Sequence, residues 1–112
     1  MFMMVGYRPK AIQKIGMGAT KDGKLFGITH EADENTATYA EFREGTVNTT
    51  RSLYACPNVN TRYKVFPLDL SLPTYMRGSG ETTGMYVVEG AIDEMAHALN
   101  SDQLQCRGLD CV

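Results

Sequence analysis

The chain has 112 residues, 43% of them hydrophobic and 21% charged, so it is long enough to bury a core and lacks the composition of a disordered protein. Its net charge is −2 and it has no basic run, which argues against a nucleic-acid partner. No apolar stretch is long enough to span a bilayer, and the first residues lack the pattern of a signal peptide. We expect one domain, residues 1–112, in the reducing cytoplasm, with free thiols at its three cysteines.

The first predicted elements are two strands that form a hairpin. Apolar residues share one face over 10–20, and alternation continues over 24–32. Between the two runs lies Lys21-Asp22-Gly23, and Asp-Gly is among the strongest short-range signals for a hairpin turn. Residues 33–36 are polar, and this composition predicts that a loop follows the hairpin.

A short helix is predicted over 38–43. Thr38 and Glu41 have the spacing of a capping box, in which each side chain bonds a backbone N–H of the first turn. In such a helix, Tyr39 and Phe42 would face inward.

A further strand and one long helix complete the predicted fold. The strand covers 61–70, where Pro67 indicates an edge position or an interruption. The helix covers 82–100, and Gly84 and Gly90 within it suggest close packing against a neighbouring backbone. We therefore expect an α+β fold, an antiparallel β-hairpin plus a further strand packed against one long C-terminal helix. The apolar residues at helical spacing are Val88, Ile92, Met95 and Leu99.

The loop over 76–81, Met-Arg-Gly-Ser-Gly-Glu, is the strongest candidate for a binding site. The first turn of a helix has backbone N–H groups without intrahelical partners and a partial positive charge. Gly78 and Gly80 allow a ligand oxygen to come close to the backbone, and Arg77 can add a bidentate fork for phosphate or carboxylate. The pattern is typical of an anion site.

A purely structural role for the same residues stays open. Gly78 and Gly80 can serve only to make a turn, and Ser79 or Thr82 can cap the helix. The loop also fails the context of a dinucleotide fingerprint, because residues 71–76 separate it from the preceding strand. No Gly-Lys-Ser or Gly-Lys-Thr of a phosphate-binding loop is present.

The remaining candidates for chemistry are two histidines and a pair of cysteines. His97 follows Asp93 by one turn, and this spacing fits either a solvated helix pair or tuning of the histidine pKa. His30 at a strand end is equally ambiguous. Cys106 and Cys111 near His97 do not have the spacing of a zinc knuckle. No serine or cysteine has a recognisable base, so nucleophilic catalysis is not supported.

Several segments of the chain together form a pattern that runs from about Val5 to Leu99. This pattern resembles the large, molybdopterin-binding subunit of molybdenum hydroxylases, the xanthine dehydrogenase and aldehyde oxidase family. The segments that carry it are Val-Gly-Tyr-Arg-Pro at 5–9, Gly-Ala-Thr-Lys-Asp-Gly-Lys-Leu at 18–25, Thr-His-Glu at 29–31, Leu-Tyr-Ala-Cys-Pro-Asn at 53–58, Met-Arg-Gly-Ser-Gly-Glu at 76–81, Gly-Met at 84–85 and Glu-Gly-Ala-Ile-Asp-Glu at 89–94.

The resemblance implies a role for the loop. Arg77 and the residues Gly78, Ser79 and Gly80 would contact the molybdopterin cofactor or the substrate. Ser79 stands where xanthine dehydrogenases have a phenylalanine that stacks on the substrate, and a serine cannot stack, which argues against a purine. The family's catalytic glutamate and its upstream Gly-Gln-Gly segment are absent from this chain. We therefore expect neither catalysis nor a bound cofactor from the chain alone.

Three functions stay open at this point. The first is a truncated molybdenum hydroxylase-like domain that retains the Arg-Gly-x-Gly loop. The second is a homo-oligomeric binding or assembly protein, which would use apolar surface that neighbouring segments cover in the family. The third is a small phosphate or nucleotide binder at Arg77. The expected partner is a second copy of the chain or a complementing subunit.

Overall fold

Three strands and three helices make up the described part of the chain. The structure is a computed structural model, and it describes residues 6–110. The remarks above on the chain start and on Cys111 therefore lie outside the described residues. The predicted α+β class is confirmed. In chain order the elements are β1 (Ala11–Ala19), β2 (Leu25–Ala37), α1 (Asn48–Ser52), β3 (Asn58–Leu68), α2 (Glu81–Ala98) and α3 (Gln103–Asp110).

The sheet has the order β1-β2-β3 and is mixed. The predicted hairpin is confirmed: β1 and β2 pair antiparallel, and Gly23 takes the left-handed conformation that the turn requires, with φ 86°. β3 pairs with the other side of β2 in parallel. A parallel pair needs a crossover connection, and α1 lies in that connection. Pro67 lies on this edge strand, as predicted.

The second strand is longer than the sequence predicts. Residues 33–36, predicted as a loop, instead continue β2 to Ala37. They do so because β3 pairs alongside them, with Asp33 opposite Lys64. The partner strand β3 supplies backbone hydrogen bonds to this polar stretch. Its composition alone could not reveal that pairing.

Residues 38–43 do not form the predicted helix. The hydroxyl of Thr36 accepts the N–H of Phe42 at 2.8 Å and donates to the carbonyl oxygen of Ala40 at 3.1 Å, so a side chain closes a turn here. Phe42 is buried as predicted. Tyr39 is 72% exposed, so the prediction that it faces inward is wrong.

The long helix α2 packs across one face of the sheet, as predicted. Its residues Val88, Ile92 and Ala96 are buried against Leu25 and Ile28 of β2. The helices α1 and α3 pack against α2, and residues 103–110, which show only weak helical character in the sequence, form α3. Within residues 6–110, no helix is both long and apolar enough to cross a membrane.

The two helix glycines differ in their packing. A Cβ at Gly84 would overlap the carbonyl oxygen of Thr46 and the side chain of Thr49, so the predicted close approach is confirmed there. At Gly90 a Cβ would meet nothing within 4 Å, and the prediction is wrong for this residue. Gly84 therefore sets how closely α2 approaches α1, whereas Gly90 does not.

These glycines form a matched pair for a stability test. We expect Gly84→Ala to lower the free energy of unfolding by about 1–3 kcal/mol, because the added methyl group overpacks the α1–α2 contact. We expect Gly90→Ala to raise it by up to about 1 kcal/mol through helix propensity alone. Urea denaturation followed by circular dichroism measures both values, and equal effects at the two positions would contradict this packing.

Candidate functional site

The loop over 76–80 leads directly into α2 and has an unusual backbone. Gly78 has φ 64° and Gly80 has φ 78°, both in the left-handed region that favours glycine. A Cβ at Gly80 would also approach the carbonyl oxygen of Glu44 to 2.5 Å. The second glycine of the loop is therefore required both by its conformation and by the segment behind it.

The first turn of α2 keeps backbone donors that no side chain caps. Gly80 occupies the N-cap position and makes no side-chain cap hydrogen bond. Thr82 N–H donates to the Gly78 carbonyl oxygen at 2.9 Å, while the N–H groups of Glu81 and Thr83 have no acceptor among residues 6–110. The structural alternative, a cap by Ser79 or Thr82, is therefore not what the loop forms. A helix start with free N–H groups favours a negatively charged ligand.

Two further groups of the loop have no partner among the described residues. The hydroxyl oxygen of Ser79 is buried and has no hydrogen-bond partner in the described part of the chain. Leaving such a group unpaired costs about 1–3 kcal/mol, which a ligand atom or a water molecule can recover. Arg77 is exposed, and its guanidinium forms no ion pair with any residue over 6–110. The loop thus combines several hydrogen-bond donors without acceptors.

An ion pair between Arg8 and a buried carboxylate holds the loop in place. Arg8 Nη1 donates to Glu44 Oε1 at 2.6 Å, and Nη2 donates to the carbonyl oxygen of Arg77 at 2.7 Å. The Glu44 side chain is fully buried, and its second oxygen accepts the Thr83 hydroxyl at 3.2 Å. One guanidinium therefore connects the start of the chain, the loop and the first turn of α2. The sequence reasoning missed Arg8 and Glu44 as site residues.

The segment behind the loop is fixed by a second carboxylate. Glu34 accepts hydrogen bonds from the hydroxyl of Thr46 and, at 2.5 Å, from that of Tyr63. The Tyr63 oxygen in turn accepts the N–H of Glu44 at 3.0 Å. Burial, together with the hydrogen bond to Glu34, raises the pKa of Tyr63 well above its ordinary value, so this phenol stays a donor. Glu44 is thereby held from both its backbone and its side chain.

His30 lies in the core rather than in a site open to solvent. It is 0% exposed, and its Nδ1 and Nε2 lie 2.6 Å from Thr50 Oγ1 and 3.0 Å from Gln13 Oε1. Because Gln13 Nε2 donates to the Thr83 carbonyl oxygen at 3.2 Å, its Oε1 must accept from His30 Nε2. Burial lowers the pKa of His30, which favours the neutral imidazole. In that form Nδ1 accepts from the Thr50 hydroxyl.

The predicted pair of His97 and Asp93 does not form. His97 is exposed, and Asp93 instead accepts from Arg107 Nη2 at 2.5 Å. Arg107 Nε also donates to Glu89 at 2.7 Å, and the Tyr54 hydroxyl donates to the same carboxylate at 2.5 Å. Burial and the hydrogen bond to Glu89 raise the pKa of Tyr54 to about 12. These contacts fix α3 on α2 and lie apart from the loop.

A metal site is not formed by the described residues. Within 6–110 no group of three or more histidine, cysteine, aspartate and glutamate side chains could hold a metal ion. Cys56 and Cys106 are free thiols, as expected.

The comparison with known families identifies the class of this domain. Residues 1–109 match the molybdopterin cofactor-binding domain. The chain belongs to this family, and the resemblance drawn from the sequence is confirmed.

The particular relatives are oxidoreductases that bind molybdenum. The aldehyde oxidoreductase molybdenum-binding subunit PaoC of Escherichia coli (strain K12) is 33% identical over 104 residues, which is 93% of this chain and 14% of that subunit. This chain therefore spans 14% of the length of the curated relative.

Solved structures share the fold. The aldehyde oxidoreductase of Desulfovibrio gigas has a TM-score of 0.83 at 24% identity, over 96% of this chain and 12% of its own. The quinoline 2-oxidoreductase of Pseudomonas putida 86 has a TM-score of 0.82 at 18% identity, over 92% of this chain and 14% of its own. At these identities the likeness concerns the fold alone.

The buried pair can be tested against an exposed one. We expect Glu44→Gln to lower the free energy of unfolding by about 3 kcal/mol, the lower end for breaking a buried pair, because Arg8 keeps 28% of its side chain in solvent. We expect Glu31→Gln, which breaks an exposed pair with Arg62, to cost at most about 1 kcal/mol. Chemical denaturation measures both, and a loss at Glu44 no larger than that at Glu31 would contradict the role of the pair.

His30 gives a pH dependence of defined sign. Because its folded-state pKa is lowered, the unfolded chain binds more protons just below the ordinary histidine pKa of about 6.5. The free energy of unfolding should therefore fall as pH drops through this window, by at most about 1.4 kcal/mol per pH unit for one group.

The measurement is the melting temperature between about pH 7.5 and pH 5. We expect a flatter pH profile in His30→Gln than in the wild type. Parallel profiles in the wild type and His30→Gln would show that His30 is not the group responsible.

Proposed function

We propose that the chain supplies one wall of a molybdopterin-binding site in an oxidoreductase of the aldehyde oxidoreductase type. In this proposal the loop over 76–80 and the first turn of α2 contact an anionic group of the cofactor or the substrate. The observation that carries the proposal is the uncapped helix start beside the buried, unpartnered hydroxyl of Ser79.

The donor set of the loop fits molybdopterin. This cofactor carries a phosphate group and oxygen ligands on its metal, all of which accept hydrogen bonds. The backbone N–H groups of Glu81 and Thr83, the Ser79 hydroxyl and the Arg77 guanidinium are all donors without an acceptor among residues 6–110. Arg77 would hold an anionic group in a bidentate fork, and Gly78 and Gly80 would let that group reach the backbone. When bound, the cofactor supplies the redox chemistry of the molybdenum centre.

We propose that catalysis needs groups from outside this chain. Glu44 lies behind the loop, but its side chain is fully buried and paired with Arg8, so it is poorly placed to accept a proton from a substrate. The base would then come from residues other than these 112, and the match covers 14% of the relative's length. Ser79 offers no ring to stack on a substrate, which argues against a purine.

One alternative function rests on the same loop. Because the Arg77 guanidinium is exposed and forms no ion pair within residues 6–110, the loop also suits a free phosphate or a nucleotide. In that case the chain would act as a small binding protein. The nucleotide binder differs from the molybdopterin wall in one respect: in it, the nucleobase and the sugar of a nucleotide would add to the affinity for phosphate.

The anion site is tested with inorganic pyrophosphate as the probe. We expect pyrophosphate to raise the melting temperature of the purified chain, because a ligand that binds only the folded state stabilises it. We expect Arg77→Ala to weaken binding by about tenfold to a hundredfold, the loss of one charge-assisted contact. Arg43→Ala, which removes an exposed arginine paired with Glu41, serves as the matched control and should bind like the wild type.

The outcomes separate the candidates. No stabilisation of the wild type, or equal stabilisation of Arg77→Ala, would contradict an anion site at the loop. A nucleoside diphosphate that binds more than tenfold tighter than pyrophosphate would support the nucleotide binder instead of the molybdopterin wall.

A further inference from the structure

A chain of polar side chains runs through the interior to the first turn of α2. It joins Thr50 of α1, His30 of β2 and Gln13 of β1, and it ends on the backbone of Thr83. The links measure 2.6 Å from Thr50 Oγ1 to His30 Nδ1, 3.0 Å from His30 Nε2 to Gln13 Oε1, and 3.2 Å from Gln13 Nε2 to the Thr83 carbonyl oxygen. His30 is 0% exposed and Thr50 1%. One line of hydrogen bonds therefore connects α1 and both strands of the hairpin to α2.

The direction of each hydrogen bond in this chain follows from the carbonyl group at its end. The Thr83 carbonyl oxygen can only accept, so the amide nitrogen of Gln13 must face it. The amide oxygen of Gln13 then faces His30 and accepts from Nε2–H. In the neutral imidazole, Nδ1 is left to accept from the Thr50 hydroxyl. All donors of the chain therefore point toward α2, and hydrogen bonds aligned in this way polarise one another.

Gln13 stands at a position where packing alone favours an apolar residue. Its neighbours on the same side of β1, Ile15 and Met17, pack against the apolar core. The Thr83 carbonyl oxygen does not need Gln13 either, because inside an α-helix such an oxygen receives the N–H four residues further along. The hydrogen bond from Gln13 is thus a second one, and it adds only modestly to stability. Its larger effect is to fix where the first turn of α2 lies over the sheet.

Thr83 connects this polar chain to the anion loop. Its N–H is one of the donors without an acceptor among residues 6–110. Its hydroxyl donates to Glu44 Oε2 at 3.2 Å and accepts from Arg8 Nη1 at 3.3 Å, while its carbonyl oxygen accepts from Gln13. The residue that offers an N–H to a ligand is therefore held from two sides, by the ion pair of Arg8 and by Gln13.

We propose that Gln13 is a positioning residue of the anion site. Held by His30 and Thr50, it sets the place of Thr83 and with it the N–H groups that the first turn of α2 offers to an anion. Gln13 acts through the backbone of Thr83 and not by contact with the ligand. This inference rests on the anion site proposed above and adds to it the buried residues that determine its affinity.

The test compares the loss of hydrogen bonds at two places on the same helix. Gln13→Met keeps the length of the side chain and removes both of its hydrogen-bonding groups. The matched control, Tyr54→Phe, removes one hydrogen bond to Glu89, which lies further along α2. Calorimetric titration of the purified full chain measures the affinity for pyrophosphate. We expect Gln13→Met to weaken binding about tenfold, as the loss of a hydrogen bond behind a ligating group does in metal sites, and Tyr54→Phe to bind like the wild type.

A second measurement needs no ligand. The carbonyl ¹³C signal of Thr83 and the amide signals of residues 81–83 are recorded by NMR in the free chain. We expect these signals to move in Gln13→Met and to keep their wild-type positions in Tyr54→Phe. The reason is that a carbonyl carbon responds to the hydrogen bonds that its oxygen accepts. A substitution that only lowers stability would leave the signals of the folded state in place.

Thr50→Val tests the far end of the chain. Valine has the size of threonine and lacks the hydroxyl, so the contact between Gln13 and Thr83 stays in place while its support is lost. We expect pyrophosphate binding to weaken about threefold, because aligned hydrogen bonds strengthen one another. In the double variant with Gln13→Met we expect no further loss, since the chain is already cut, and additive losses would contradict action through one chain. If Gln13→Met does not fold, unchanged binding in Thr50→Val overturns the proposal.

Failure of this inference and failure of the anion site give different results. No binding of pyrophosphate to the wild type would remove the anion site and the inference with it. Wild-type binding that Gln13→Met leaves unchanged, or that Tyr54→Phe weakens equally, would overturn the positioning role and leave the anion site intact. A Thr83 carbonyl signal that does not move in Gln13→Met would overturn the positioning role as well.

Discussion

The ion pair between Arg8 and the buried carboxylate of Glu44 is the contact on which the candidate site depends. A fully buried carboxylate needs a counter-charge and hydrogen bonds, and Arg8 supplies both from a distant part of the chain. The same guanidinium binds the carbonyl oxygen of Arg77, and Glu44 also accepts the hydroxyl of Thr83. The loop therefore keeps its left-handed glycines, and its N–H groups without an acceptor in residues 6–110, because these polar contacts lie behind it.

The two ends of α2 make different kinds of contact, apolar toward the C-terminus and polar at the N-terminus. Toward its C-terminus Val88, Ile92 and Ala96 form the apolar core with the sheet, which holds the fold together. At its N-terminus the helix rests on polar groups, where Gln13 links the buried His30 to the carbonyl oxygen of Thr83. Such a polar support fixes direction more than it adds stability. We infer that these polar contacts fix the orientation of the first turn of α2 relative to the loop.

The features that were predicted correctly from the sequence are those that short stretches of residues determine. The Asp22-Gly23 turn, the helical spacing of α2 and the glycines of the loop each depend on a few neighbouring residues. The parallel pairing of β3 and the extension of β2 depend on contacts between distant segments, and these have no local pattern. The same is true of the Arg8–Glu44 pair, which joins residues 36 positions apart. The family resemblance drew attention to Arg8-Pro9 but did not name its partner.

The central claim is that the loop over 76–80 and the first turn of α2 form an anion site. The most direct test is a titration of the ¹⁵N-labelled chain with pyrophosphate, followed by the amide signals in two-dimensional NMR. We expect the amides from Gly78 to Thr83 to shift most and Arg8→Met to abolish these shifts. Shifts confined to other residues, such as those around Lys10 and Lys64 on the opposite face, would contradict it.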